Sequence, residues 1–232
     1  MRRAGSMLGW SVAVTLLGVS VNTFADGSAS QISGIWSRVG ADAAQPKGDP
    51  PLKPKYLKAY KASQKQVSPT GGKVSGALEK CWVEGMPGIM AARAPLEIVQ
   101  TPGQVTVLAE YMGQTRRIFL DEKMPAPGDI TPGYMGMSVG KWNGDSLEVQ
   151  TVGVREDVRY QGMPHSGKMR IVEKLRLTGP DQLQDEVVIH DPDTLTQPLR
   201  LTFHYKRELQ HRVLEYPCQH GGAVAPEAGK SG

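Results

Sequence analysis

Residues 138–177, SVGKWNGDSLEVQTVGVREDVRYQGMPHSGKMRIVEKLRL, decide the fold. Trp142-Asn143-Gly144-Asp145 lies between two runs of strand formers, Ser138 to Lys141 and Leu147 to Val152, and an Asn-Gly pair in that setting predicts a β-hairpin. The chain then loses its alternation from Arg155 to Lys168. There Gly162-Met163-Pro164-His165-Ser166-Gly167 puts an imidazole and a hydroxyl among glycines and a proline, residues that interrupt regular elements. Period-2 alternation resumes with Met169, Ile171, Glu173, Leu175 and Leu177 on one face and Arg170, Val172, Lys174 and Arg176 on the other. Glu173 is therefore expected among apolar neighbours.

Outward from this stretch, short strands separated by turn residues are expected at 33–39, 96–100, 105–112, 116–121, 183–190, 199–208 and 213–218. Gly179-Pro180-Asp181 and Asp191-Pro192-Asp193 supply turn chemistry between the later ones. A helical pattern is confined to Leu52–Gln66, where Leu57, Ala59 and Tyr60 sit among Lys53, Lys55, Lys58, Lys61 and Lys65, a solvated face. The Met- and Gly-rich run 81–94, CWVEGMPGIMAARA, reads as an ordered loop or a plug. About nine or ten short strands with one short helix predict an all-β, antiparallel barrel, since hairpin follows hairpin and closure removes exposed edges.

Residues 1–25 have the build of an export signal: Arg2 and Arg3, an apolar run from Met7 to Val21, and small or polar residues before Asp26. Cleavage after Ala25 leaves a barrel domain over 26–222 and a small-residue tail over 223–232, in a periplasmic or secreted protein. The apolar run falls short of a transmembrane helix, which needs roughly 20 residues, so no stable membrane insertion is expected. Removing residues 1–25 takes away two arginines and no acid, and the formal charge falls from +4 to +2. A nearly neutral chain without a basic block interleaved with aromatics is not expected to bind nucleic acid. Cys81 and Cys218, in an exported chain, are expected to form a disulfide worth about 4–5 kcal/mol in the chain-entropy picture.

Gly34-Ile35-Trp36 resembles the Gly-x-Trp signature of the first lipocalin strand, and the meander after it is similar to the lipocalin-like (calycin) barrels. Further phrases are Cys81 with Gly85-Met86-Pro87, Glu97-Ile98 through Thr101-Pro102-Gly103, Gly140-Lys141-Trp142 with Gly144-Asp145, Pro164-His165-Ser166, Asp191-Pro192, and Glu215-Tyr216 with Cys218. Together they look like a family of exported bacterial proteins and cover most of the chain after residue 25. The resemblance implies a lipocalin-like barrel with a small apolar ligand at its mouth, in a group that holds both carriers and enzymes. It supplies no catalytic residues to carry over.

His165 is the leading candidate for chemistry, because an imidazole in a Gly/Pro-framed loop at a strand end can bind a ligand or move a proton near neutral pH. Glu173 is second: a carboxylate on an apolar face must be paired, protonated or facing a polar cavity, for example paired with Arg117 on a neighbouring strand. Glu110 and Glu215 carry weaker forms of the same argument. Tyr134, Trp142, Tyr111 and Trp82 are candidate pocket aromatics. His190 and His204 are expected to face solvent, and His211 and His220 fall in a turn and near the tail. No metal-ligand spacing, phosphate loop, dinucleotide fingerprint or Gly-x-Ser-x-Gly elbow is present, so neither metal nor cofactor is expected.

These residues predict a barrel that binds a small apolar or aromatic molecule. One form of that expectation is a cofactor-independent lyase or isomerase, with His165 and Glu173 exchanging protons, Tyr134 and Trp142 orienting the ligand, and Tyr111, Glu110 and Arg117 nearby. The others are a non-catalytic carrier with the same pocket, and an envelope protein-interaction module with a filled barrel. The state of the barrel interior separates the last from the first two.

Overall fold

The computed structural model describes residues 31–40, 48–65 and 83–215. The expected signal peptide, Trp82, His220, the tail and both cysteines of the expected disulfide lie outside them.

Nine strands among the described residues close a single barrel in sequence order. They are β1 Gly34–Val39, β2 Leu96–Thr101, β3 Gln104–Ala109, β4 Gln114–Leu120, β5 Met137–Asn143, β6 Ser146–Val152, β7 Arg170–Gly179, β8 Gln182–His190 and β9 Leu199–Glu208. Two helices accompany them, α1 Pro54–Lys65 and the single turn α2 Gly88–Ala91. The fold is thus the expected all-β, lipocalin-like barrel.

An up-and-down meander with an odd number of strands cannot close with antiparallel pairs alone, because its first and last strands run the same way. The parity is resolved at β4 and β5, which pair in parallel through Ile118↔Ser138 and Leu120↔Gly140. A parallel pair needs a connection that travels the length of the barrel, and the Pro/Gly segment 121–136 makes it. β9 then closes antiparallel on β1. Closure uses every strand edge, so the strand expected at 213–218 does not form over its described part, 213–215. Glu110 captures this segment instead, accepting from Leu214 N at 3.1 Å and lying 2.8 Å from His211 Nε2.

The central hairpin forms where expected, in a shifted frame. Asn143 pairs with Ser146, so Gly144-Asp145 is the two-residue loop. Gly144 alone of the two has positive φ, +62°, which is the pattern of a type II′ turn. Asn143, still in the strand, donates to Glu148 Oε1 at 3.1 Å.

Inward-facing side chains follow one register around the barrel: Leu96 and Ile98, Val105 and Val107, Arg116 and Ile118, Val149 and Thr151, Ile171 and Glu173, Asp185 and Val187, Leu201 and Phe203, all buried. A barrel of about this strand number is just wide enough for side chains to fill or for one small ligand. At the end where β1 begins, Trp36 is wholly buried, donates to Ile32 O at 2.9 Å, and is covered by the Arg207 guanidinium 4.1 Å from its ring. Gly34, at φ +143°, is what lets Arg207 lie there, because a Cβ at that position would collide with the guanidinium. The Gly-x-Trp phrase is therefore a closed-end device.

The opposite end, the mouth, is where β1, β3, β6 and β8 finish. The run expected as a loop or plug is a plug: Met86, Ile89 and Met90 are fully buried. Tyr205 Oη anchors it by donating to Met90 O at 2.6 Å. Segment 50–53 and α1 lie against the remaining mouth loops, with Lys53 N donating to Thr194 O at 2.8 Å and Gln64 Nε2 to Gln161 O at 3.1 Å.

Candidate functional site

Two polar regions are buried in this barrel, one at its centre and one at its mouth. Alternation places Glu173 on the inward face of β7, and its side chain has no solvent exposure. Its partner is Arg116, the residue before the expected Arg117, because the period of two points Arg116 inward and leaves Arg117 exposed. Arg116 Nη1 donates to Glu173 Oε1 at 2.8 Å and Nη2 to Oε2, a bidentate pair. Nη2 also donates to Thr151 Oγ1 at 3.0 Å and Nε to Ser138 Oγ at 3.3 Å, and the two hydroxyls lie 2.8 Å apart.

Asp185 is the part of this cluster that sequence reasoning missed. It is fully buried beside the pair, and neither carboxyl oxygen has a hydrogen-bond partner. Burial, and after it the charge of Glu173, push the Asp185 carboxyl well above its ordinary range, with Arg116 only partly offsetting them. One guanidinium thus faces two carboxyl groups, of which it hydrogen-bonds only Glu173, and burial favours the protonated form of the other. The missed signal was the parity of β8, where Asp185 alternates with Leu183, Val187 and Ile189 as Glu173 does on β7.

At the mouth, a partly open cavity of about 30 Å³ is bounded by the plug, the loop 160–165, the start of β7, the end of β8 and the 191–199 segment. Its lining includes Met86, Met163, Met169, His165 and Asp191. Two copies of one tripeptide build it: Gly85-Met86-Pro87 and Gly162-Met163-Pro164 each present Met and Pro to the cavity. Both glycines have positive φ, +66° and +81°, which turns the following Met inward. At Gly85 a Cβ would also press on Tyr134 O, the acceptor of the Met86 N–H at 2.9 Å.

His165 Nδ1 lies 3.0 Å from Ser166 O. A carbonyl oxygen only accepts, so Nδ1 carries a hydrogen, and in the neutral ring this leaves the lone pair on Nε2. That Nε2 is buried and has no partner. Asp191 holds the loop in place, accepting from Ser166 N at 2.6 Å, Ser166 Oγ at 2.8 Å and Asp193 N at 3.1 Å. Burial works to raise the Asp191 carboxyl, and hydrogen bonds from Ser166, Thr194 and the Asp193 backbone outweigh it, holding the group below the usual carboxylate range. Glu84, next to the plug, is the reverse case. Burial pushes its carboxyl up to about 7.

The structure brings few of the sequence candidates together. Glu173 does not line the cavity of His165. Tyr134 is at the mouth but 38% exposed, with Arg155 stacked 4.7 Å from its ring. Trp142 is at the far end of the barrel, paired with Leu147. Tyr111 is in the turn between β3 and β4, its carbonyl accepting from Gln114 Nε2 at 3.2 Å. Glu110 tethers the 211–214 segment, and Glu215 is exposed. His204 is exposed and His190 half-buried. A second concavity, lined by Asp121, Glu122, Lys141, Glu148 and Arg170 among others, is open and lies on the outer barrel face. Among the described residues no group of three His, Cys, Asp or Glu is placed to hold a metal, and no helix is long and apolar enough to cross a membrane.

No family model and no curated protein matches the chain. Among solved structures, the fluorescent protein UnaG is similar at 14% identity and a TM-score of 0.36, over 76% of this chain and 97% of that one. Two point mutants of UnaG give 15% and 13% identity, TM-scores of 0.36 and 0.34, the same 76% of this chain, and 96% and 95% of theirs. The assignment as a barrel rests on the strand pairing itself.

Proposed function

We propose that this chain is a binding protein whose site is the capped mouth of the barrel. The observation that carries the reading is the buried, unpartnered Nε2 of His165, a polar acceptor facing no protein group in an otherwise satisfied loop. Buried polar atoms are paired in native structures, and an exception asks for a water, an ion or a ligand. The site is compact: thioether and hydrocarbon groups, with the His165 nitrogen, the Thr194 hydroxyl and Asp191 as its polar members. A larger apolar or aromatic molecule, as a lipocalin-like carrier would take, requires the plug or α1 to move aside. We place the protein outside the cytoplasm, with the export signal cleaved and Cys81 joined to Cys218.

Acid-base chemistry is the second reading, favoured by one observation. Burial pushes the Glu84 carboxyl up to about 7, and Glu84 precedes the lining residue Met86 by two positions without lining the cavity itself, so Glu84, rather than the ion-paired Glu173, is the carboxyl suited to exchange protons at the rim of the site.

Native mass spectrometry of the purified protein, after exposure to an extract of its source cells, tests the binding reading. A mass retained by the unaltered protein and lost in Leu195→Phe, which fills the cavity, supports it. No retained mass, or one retained equally by the variant, overturns it. Conversion of an extract component that stops in Glu84→Gln favours the second reading instead.

A further inference from the structure

We infer that the mouth cavity is a site for a soft monovalent cation, Cu(I), held by His165 Nε2 and the thioethers of Met86, Met163 and Met169. The inference rests on the reading of the mouth as a binding site and names its ligand. Three observations converge on it.

The first is the imidazole. Metal-binding histidines present one bare nitrogen while the other donates to a carbonyl or carboxylate, which fixes tautomer and ring orientation. His165 has this arrangement, with Nδ1 toward Ser166 O and Nε2 buried without a partner.

The second is the company it keeps. Met86, Met163 and Met169 line the same cavity and are 0%, 7% and 4% exposed. Two of them arrive on the duplicated Gly-Met-Pro turns. Thioethers are soft donors that select Cu(I), imidazole suits copper as well, and neither set suits magnesium or calcium.

The third is size and charge. A cavity of about 30 Å³ has room for one ion or one water; an apolar cavity that takes benzene measures roughly 150 Å³. Asp191 is also a lining residue, its carboxylate held by Ser166 and the 193–194 backbone, so a single positive charge enters a site that borders a negative one. A divalent cation would be left with excess charge among hydrocarbon and thioether groups. No redox step is involved, since the ion is bound and released as Cu(I).

The test uses Ag(I), a redox-inert ion with the same soft preferences, titrated into purified protein carrying ¹³C-methyl methionine. The expected result is one equivalent bound, with the methyl signals of Met86, Met163 and Met169 moving and those of Met90, Met112 and Met137 staying in place. Anaerobic competition for Cu(I) against a colorimetric chelator then ranks the variants. Met163→Leu and Met169→Leu keep the bulk and remove the sulfur, so they fold, and each weakens binding at least about tenfold; His165→Ala weakens it at least as much. The inference is overturned if the cavity methyls do not respond, if the leucine variants bind as well as the parent, or if Zn(II) moves the same methyls with equal affinity. Silver held by Cys81 or Cys218 leaves the methyls in place and counts against it. If Ag(I) fails while an extract compound is retained and then lost in Leu195→Phe, the cation assignment falls and the mouth site stands.

Discussion

The centre and the mouth of this barrel both bury polar side chains among apolar ones, and they close their hydrogen-bonding accounts differently. At the centre Arg116 donates to Glu173, Ser138 and Thr151, and Asp185 beside it is left with no hydrogen-bond partner and lines neither concavity of the barrel. At the mouth Asp191 is as fully engaged as Arg116, and yet the histidine it helps to position keeps a bare nitrogen. The difference is access: the Arg116–Glu173 network holds strands together and Asp185 borders no cavity, whereas an open acceptor beside a cavity is available to what enters it. The lyase or isomerase expectation paired one residue from each region, and their separation moves the weight from Glu173 to the mouth.

The largest expected effect follows at the centre. Replacing one member of a buried ion pair strands the other charge, at a cost of about 3–5 kcal/mol, while replacing both by apolar residues is often close to neutral. Glu173→Leu is therefore expected to lower stability by about 3–5 kcal/mol in urea denaturation. The double variant Arg116→Met with Glu173→Leu should regain most of that. A Glu173→Leu loss below about 1 kcal/mol, the range of exposed ion pairs, breaks the structural assignment of the centre.

Next in size is a pH dependence to which both regions contribute with the same sign. Asp185 and Glu84 both have carboxyl pKa values raised in the folded state, in each case first by burial. Unfolded carboxylic acids release their protons near 4. Above that pH the folded chain holds protons that the unfolded chain has lost, so stability is fullest at low pH and falls as pH rises, by at most about 1.4 kcal/mol per unit for each group. The Glu84 part ends near 7, where the folded carboxyl also ionises. The Asp185 part has the same sign. Glu84→Gln is expected to flatten the stability curve between 4 and 7, and Asp185→Asn to flatten it from about 4 upward. Urea midpoints measured across pH 4–9 check this, and a curve unchanged in Asp185→Asn means that the central acid is not neutral.

Much of the fold was legible because period-2 alternation reports burial directly. The strands β1 to β9, the hairpin at Gly144 and the inward position of Glu173 follow from it. The parallel pairing of β4 with β5 was not legible, because alternation carries no direction and segment 121–136 reads the same whether it turns back or crosses over. The absent strand at 213–215 was hidden for a related reason. Its residues suit a strand, but the β1–β9 closure, a long-range event, leaves it no edge. The candidate site was legible in part. Gly/Pro framing singled out His165, while the convergence of Met86, Met163 and Met169 on it depends on loops far apart in sequence. The naming of Arg117 in place of Arg116 shows how fine the limit is, since one residue of phase separates a surface cation from the central one.

The smallest expected effect sharpens the comparison most. His165 is half-buried, makes one hydrogen bond to Ser166 O, and leaves Nε2 unsatisfied. Replacing it by leucine forfeits a bond worth about 0.5–1.5 kcal/mol and also removes a buried acceptor whose desolvation costs about as much. The two nearly cancel, so His165→Leu is expected to change stability by less than about 1 kcal/mol, of either sign, while abolishing capture of Ag(I). Urea denaturation of the empty protein and the methionine-methyl titration, run on the same sample, read both quantities. A stability loss approaching that of Glu173→Leu would make His165 a structural residue like those at the centre, and the free lone pair a by-product of packing. A neutral change with binding lost ties that lone pair to the ligand, since a side chain that contributes little to folding and much to binding is kept for the binding.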